Sequence, residues 1–176
     1  MLEKILSHEK CADCRNCCVF YEKSRWEMPM VSSRKAELIR SFINDDEAVS
    51  HCAEGFGYRL KSVLRSNRPD NNAEEYRCIA LDENCGCTLP SEMKPIECSL
   101  WPIRIMNDNG RIYITLAPSC YAVDKAFRSK AVELLNGSLK KELIDLINSG
   151  KHIIRPFESS YEKLFEITED ITEDER

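Results

Sequence analysis

The sequence predicts an α+β chain: an irregular cysteine-rich half that ends in one β-hairpin, then a half built from helices. Three observations carry this. All ten cysteines fall within the first 120 of the 176 residues. Apolar residues alternate at period two on either side of Asn109-Gly110, as Ile103 and Ile105 before it and Ile112, Ile114 and Leu116 after it, which is the pattern of a hairpin with a two-residue turn. Beyond Cys120 the apolar spacing returns to the helical period.

A short segment over Leu2–Ser7 leads into the run Cys11-Ala-Asp-Cys14-Arg-Asn-Cys17-Cys18. Ser32 and Ser33 offer N-caps for a helix through about Ile43, with Leu38, Ile39, Phe42 and Ile43 on one stripe. A second helix is expected over Arg59–Arg65, where Arg59, Lys61, Arg65 and Arg68 read as a solvated basic face. Asn67 to Asn72 reads as a loop. After the hairpin, Val123, Ala126, Phe127, Ala131, Leu134 and Leu135 line one helix stopped by Gly137. Ser138 caps the next, which carries Leu139, Leu143, Ile144 and Ile147 and ends at Gly150. Ser159 and Glu162 make a capping box for a last helix around Tyr161–Ile167. The expected division is a cysteine-cluster region over 1–120, a helical extension over 121–167 packed on it, and an acidic tail over 168–176.

Hydrophobic residues are 43% and charged residues 31% of the chain, which excludes a disordered segment, and no apolar run approaches the roughly 20 residues that span a bilayer. The opening Met-Leu-Glu-Lys-Ile-Leu-Ser-His lacks the apolar core and small-residue cleavage site of a secretory signal, so a cytoplasmic protein is expected. Of the net charge of −5, the stretch from Glu158 onward holds eight acids and two bases, leaving +1 for residues 1–157. So neutral a body makes no general electrostatic case for nucleic acid. A chain kept in a reducing compartment uses clustered cysteines as metal or redox ligands before it uses them as disulfides.

A Cys-x2-Cys-x2-Cys run lets three thiolates converge from one tight loop. Zinc takes four such soft ligands in a tetrahedron, and the same spacing begins the bacterial ferredoxin pattern for a [4Fe–4S] cube. Cys18 adds to this, because side chains of adjacent residues diverge in any regular backbone. Cys17 and Cys18 are therefore expected to serve different metals or one bridged polynuclear centre. Downstream lie Cys52, Cys78, Cys85, Cys87, Cys98 and Cys120, the last two bracketing the hairpin, which is expected to bring them back together.

The ordered motifs resemble a known family, the YkgJ-like cysteine-cluster proteins described as zinc- or iron-chelating domains. The resemblance covers about residues 11–120. It rests on the Cys11/Cys14/Cys17/Cys18 run, an isolated Cys78 with an apolar stretch behind it, Gly86-Cys87-Thr-Leu-Pro90, Lys94-Pro95-Ile-Glu-Cys98 with Trp101-Pro102, and a closing Pro118-Ser-Cys120. Lys94 and Trp101 depart from the arginine and tyrosine usual in the family at those places. Carried over position by position, the resemblance implies metal ligation by Cys11, Cys14, Cys17, Cys18, Cys78, Cys87, Cys98 and Cys120. Eight thiolates are the number that two four-thiolate centres require. The cluster-binding part of flagellin lysine methylases is similar, which implies an iron–sulfur cluster, [4Fe–4S] favoured, with zinc as the alternative.

Cys52 and Cys85 fall outside the pattern and read as small buried hydrophobes, although Cys85 lies close enough to Cys87 to replace it as ligand. His8 continues the three-residue beat into Cys11 and is a further candidate, while His51 and His152 have no ligand context. No phosphate loop, nucleophile elbow, zinc-protease motif or dinucleotide fingerprint is present. The expected function is a cytoplasmic protein that holds iron–sulfur for electron transfer or as an accessory to protein modification, with a protein partner and neither nucleic acid nor membrane. The alternatives are a structural zinc interaction module and a cluster-dependent group transferase resembling the flagellin methylases.

Overall fold

The computed structural model describes residues 13–52, 57–67, 74–149 and 153–168. The segment over Leu2–Ser7, His8, Cys11, most of the expected Asn67–Asn72 loop, Gly150, His152 and nearly all of the acidic tail lie outside them. The chain divides into two compact units, one within Ser7–Ser99 and one that contains Leu100–Arg176.

In the first unit a 3₁₀ turn at Asn16–Cys18 runs into β1 (Val19–Tyr21), a second 3₁₀ segment (Glu22–Glu27) and β2 (Met30–Val31). Helix α1 (Ser33–Ile43) follows, then β3 (Val49–His51), β4 (Tyr58–Leu60), β5 (Ser62–Asn67), β6 (Glu74–Cys78), β7 (Leu81–Asp82), β8 (Gly86–Cys87) and α2 (Ile96–Leu100), which reaches the boundary. The strands form three antiparallel sheets, in the orders β1-β6-β5, β2-β4-β3 and β7-β8. One apolar cluster joins them, built on Phe20, Met28, Val31, Ala36, Ile39, Val49, Leu60, Cys78 and Leu89.

Helix α1 starts where expected, with the Ser32 hydroxyl accepting from the Lys35 amide. Its buried face differs from the expected stripe. Ala36 and Ile39 are fully buried, whereas Leu38 and Phe42 are 45% and 46% exposed. The cause is the sheet beneath. Arg40 donates to the Val49 carbonyl at 2.8 Å and lies over the Tyr58 ring at 5.0 Å, which turns the 36/39/43 side inward.

The expected helix over Arg59–Arg65 is two strands instead. Tyr58 and Leu60 lie on one side of β4, with Leu60 2% exposed, so the period there is two, and Arg59 stands between them. A reading on charge alone cannot see that β2 and β3 flank this segment and complete its ladder.

The second unit opens with the expected hairpin, β9 (Ile103–Asp108) and β10 (Arg111–Leu116), paired from Arg111↔Asp108 to Leu116↔Ile103. Asn109 and Gly110 both take positive φ, 53° and 88°, as the tight turn between right-twisted strands demands. Helices α3 (Lys125–Leu135) and α4 (Ser138–Ser149) follow, burying Phe127, Ala131, Leu135, Leu139, Leu143 and Ile147 of the expected faces, whereas Ala126 is exposed and Val123 precedes the helix. The N-cap of α3 is Asp124, whose carboxylate accepts from the Phe127 amide at 2.7 Å.

The segment expected to be wholly helical also supplies β11 (Ile154–Pro156) and β12 (Glu162–Ile167) to a four-stranded sheet, β11-β9-β10-β12, in which β11 runs parallel to β9. The last helix is thus a strand. The Ser159/Glu162 pattern fits a cap locally, but the outer edge of β10 offers a full ladder, from Ile112↔Ile167 to Leu116↔Glu162. Tertiary pairing overrides the local signal. Helices accordingly occur in both units, and the strands of the N-terminal half exceed the single hairpin expected.

Candidate metal centre

The local chain path sets the cysteine run. Arg15 takes φ 54°, and its carbonyl accepts from the Cys18 amide at 2.9 Å, so the backbone reverses between Cys14 and Cys17. Cys14, Cys17 and Cys18 are all half-buried. The expected divergence of Cys17 and Cys18 does not occur: the 3₁₀ turn that contains them gives way to β1 immediately after Cys18, and their Sγ atoms lie 3.9 Å apart.

Cys78 ends β6, where it pairs with Ser62 and is buried. The chain then turns through Ile79 and Ala80, and the β7–β8 pair sets Cys87 opposite Leu81. The Thr88 amide closes this turn on the Ala80 carbonyl at 2.9 Å. Cys18 and Cys87 both pack on the apolar cluster that contains Cys78. Burial pushes the Cys78 thiol up to about 12; the charges of Cys87 and Cys17 push the same way, against the Ala80 amide that donates to its sulfur. Four sequence-predicted ligands, Cys17, Cys18, Cys78 and Cys87, therefore belong to one neighbourhood.

Cys85 points elsewhere. It is exposed at the β7–β8 turn, and its thiol donates to Asp82 Oδ1 at 3.3 Å. That bond holds the thiol above its ordinary range. The amides of Asn84 and Cys85, donating to the same carboxylate at 2.7 and 3.0 Å, hold Asp82 below its own. The positive charge of Arg15 acts weakly on both groups, so the β7–β8 turn lies near the cysteine run. Of the two cysteines in this turn, Cys87 is the one that packs beside Cys78.

Of the other candidates, Cys98 is exposed in α2, and Cys120 is buried in the second unit, where the hairpin closes with the Ala117 amide donating to the Pro102 carbonyl at 2.9 Å. Cys52 follows β3 half-buried, its amide donating to the Gly57 carbonyl, and His51 packs edge-on against Tyr58. No disulfide joins the described cysteines.

Among the described residues no group of three or more His, Cys, Asp or Glu side chains is drawn together closely enough to hold a metal ion as they stand. The donor set nevertheless suits a thiophilic ion. The 3.9 Å Cys17–Cys18 spacing matches the sulfur–sulfur edge of about 3.8 Å that tetrahedral thiolates at ~2.3 Å from zinc define. The sequence signal that could have found this pairing is the Arg15 turn, and a left-handed arginine is not legible from composition. Among the described residues no helix is long and apolar enough to cross a membrane. No family model matches the chain, and no curated protein or solved structure does, so the family resemblance rests on the ordered motifs.

Proposed function

We propose that the unit within Ser7–Ser99 is a metal-binding module that holds a thiophilic ion on cysteine thiolates, with Cys17 and Cys18 ligating the same ion and Cys78, Cys87 and Cys14 as the source of the others. The observation that carries this reading is the 3.9 Å sulfur–sulfur edge. In a [4Fe–4S] cube each iron takes one cysteine, so two ligand sulfurs stand far beyond contact; the edge favours a single zinc or iron that takes both cysteines. Bound, the metal supplies cross-links among β1, β6 and the β7–β8 pair, whose strands are short and whose shared apolar cluster is small. The module acts in the reducing cytoplasm, where thiolates persist, as a structural or accessory domain for a protein partner.

Metal analysis, acid-labile sulfide and the visible spectrum of the full chain purified without oxygen test this. About one zinc or iron per chain without sulfide is the expected result. A brown, sulfide-bearing protein absorbing near 400 nm replaces the single ion with an iron–sulfur centre on the same thiols. A chain that is purified metal-free and takes up neither zinc nor iron on titration overturns the reading.

A further inference from the structure

Cys17 and Cys18 stand in a relationship that metal ligation does not exhaust. Both thiols are half-buried and within reach of small solutes, and each has the other's sulfur at 3.9 Å. Cys78 is buried and Cys85 is engaged with Asp82 on an exposed turn, which leaves the half-buried Cys14 and Cys87 as the competitors that the test must exclude. We propose that the Cys17–Cys18 pair is a reversible oxidation site, closing to a disulfide between adjacent residues when the metal is absent and peroxide is present.

The step balances as follows. One sulfur attacks hydrogen peroxide, breaking the O–O bond to give a sulfenic acid and water. The neighbouring thiol then displaces the sulfenic hydroxyl, which leaves with the thiol's proton as a second water, and the S–S bond forms. The two sulfurs give up two electrons and peroxide takes them. The ring closes through the single peptide bond between the residues. Adjacent Cα atoms are only about 3.8 Å apart across a trans peptide, short of the ~4.4–6.8 Å usual for a disulfide. The bond is therefore strained and easily reduced, which is the property of a switch rather than a staple. Its regulatory use rests on the metal reading above: a sulfur in a disulfide cannot ligate, and a ligated thiolate is withheld from peroxide. Oxidation and metal loading exclude each other.

Trypsin isolates the pair. Cleavage after Arg15 and after Lys23 releases Asn16–Lys23, whose only cysteines are Cys17 and Cys18. The test is peroxide treatment of the metal-stripped full chain, then denaturation, alkylation and mass mapping without reductant. The expected product is this peptide lacking two hydrogens and carrying no alkyl group, with loss of the doubly alkylated form and its return after dithiothreitol. A doubly alkylated peptide after peroxide, or either cysteine linked to Cys78 or another peptide, overturns the pairing. A parallel sample loaded with zinc should stay doubly alkylated. If it oxidises as readily as the stripped chain, the pairing stands and the metal reading is what fails.

Discussion

Glu97 Oε2 accepts a hydrogen bond of 2.7 Å from the backbone amide of Met30, 67 residues earlier in the chain. The carboxylate is buried, 3% exposed, and ties the first turn of α2 to β2. Lys35 makes a parallel tie from α1, its ammonium donating to the Lys94 carbonyl at 2.6 Å. Together these bonds fix the segment that precedes Cys98.

Removing the Glu97 carboxylate takes the acceptor from the part-buried Met30 amide. Glu97→Ala should destabilise the chain by about 1 kcal/mol or more, the worth of the lost hydrogen bond to a charged group, and Glu97→Gln by less, since its amide oxygen still accepts. Urea unfolding of the full chain compares them, and equal losses for the two variants would contradict the bond.

Ligand substitutions separate the cysteines that cluster from those that do not. Cys17→Ser and Cys18→Ser should each weaken zinc retention by at least about tenfold, the lower end of what an outer-sphere partner alone costs. Cys85→Ser and Cys52→Ser should leave it unchanged. Competition with a chromophoric chelator measures the difference, and loss of retention in Cys85→Ser would move the site to the exposed turn.

Alkaline pH should destabilise the metal-free chain through Cys78. Its folded-state value is pushed up to about 12, above that of an unfolded thiol, so the folded chain holds this proton the more tightly. The resulting stability is fully present below about pH 8.5, where the unfolded thiol is also protonated, and is lost as pH rises towards 12. The slope from this group approaches one proton, about 1.4 kcal/mol per pH unit. Denaturation midpoints from pH 8 to 11 should show a shallower decline in Cys78→Ala than in the parent.

The two sides of α1 should respond oppositely to truncation. Ile39→Ala removes a fully buried side chain and should cost about 2–5 kcal/mol, while Leu38→Ser and Phe42→Ser, both nearly half exposed, should each lie near 0.5 kcal/mol. Thermal or urea unfolding decides, and a large loss at Phe42 would restore the apolar stripe that spacing alone suggests.

The parts of this fold visible in the sequence are those whose cause is local. Asn109-Gly110 announces its hairpin because only residues that tolerate positive φ can make the turn, and α3 and α4 show because Phe127, Ala131, Leu139 and Leu143 repeat at a helical period. Arg59–Arg65 and Glu162–Ile167 are misread because their strands are defined by partners distant in sequence. At the site, the association of Cys87 with Cys78 rather than Cys85 follows the ordered motifs. The Cys17–Cys18 contact does not, because it depends on the backbone leaving regular geometry at Arg15.

By itself the sequence determined the chemistry on offer: ten thiols in an order that reads as ligation, within a near-neutral body and with helices behind them. Residue type and spacing carry that much because a thiolate's affinity for soft metals belongs to the side chain. Only the tertiary structure decided which thiols share a neighbourhood, that Leu38 and Phe42 face outward, and that the last apolar segment is a strand. Each of these turns on which distant surface a segment meets. The free energy of that meeting outweighs local propensity.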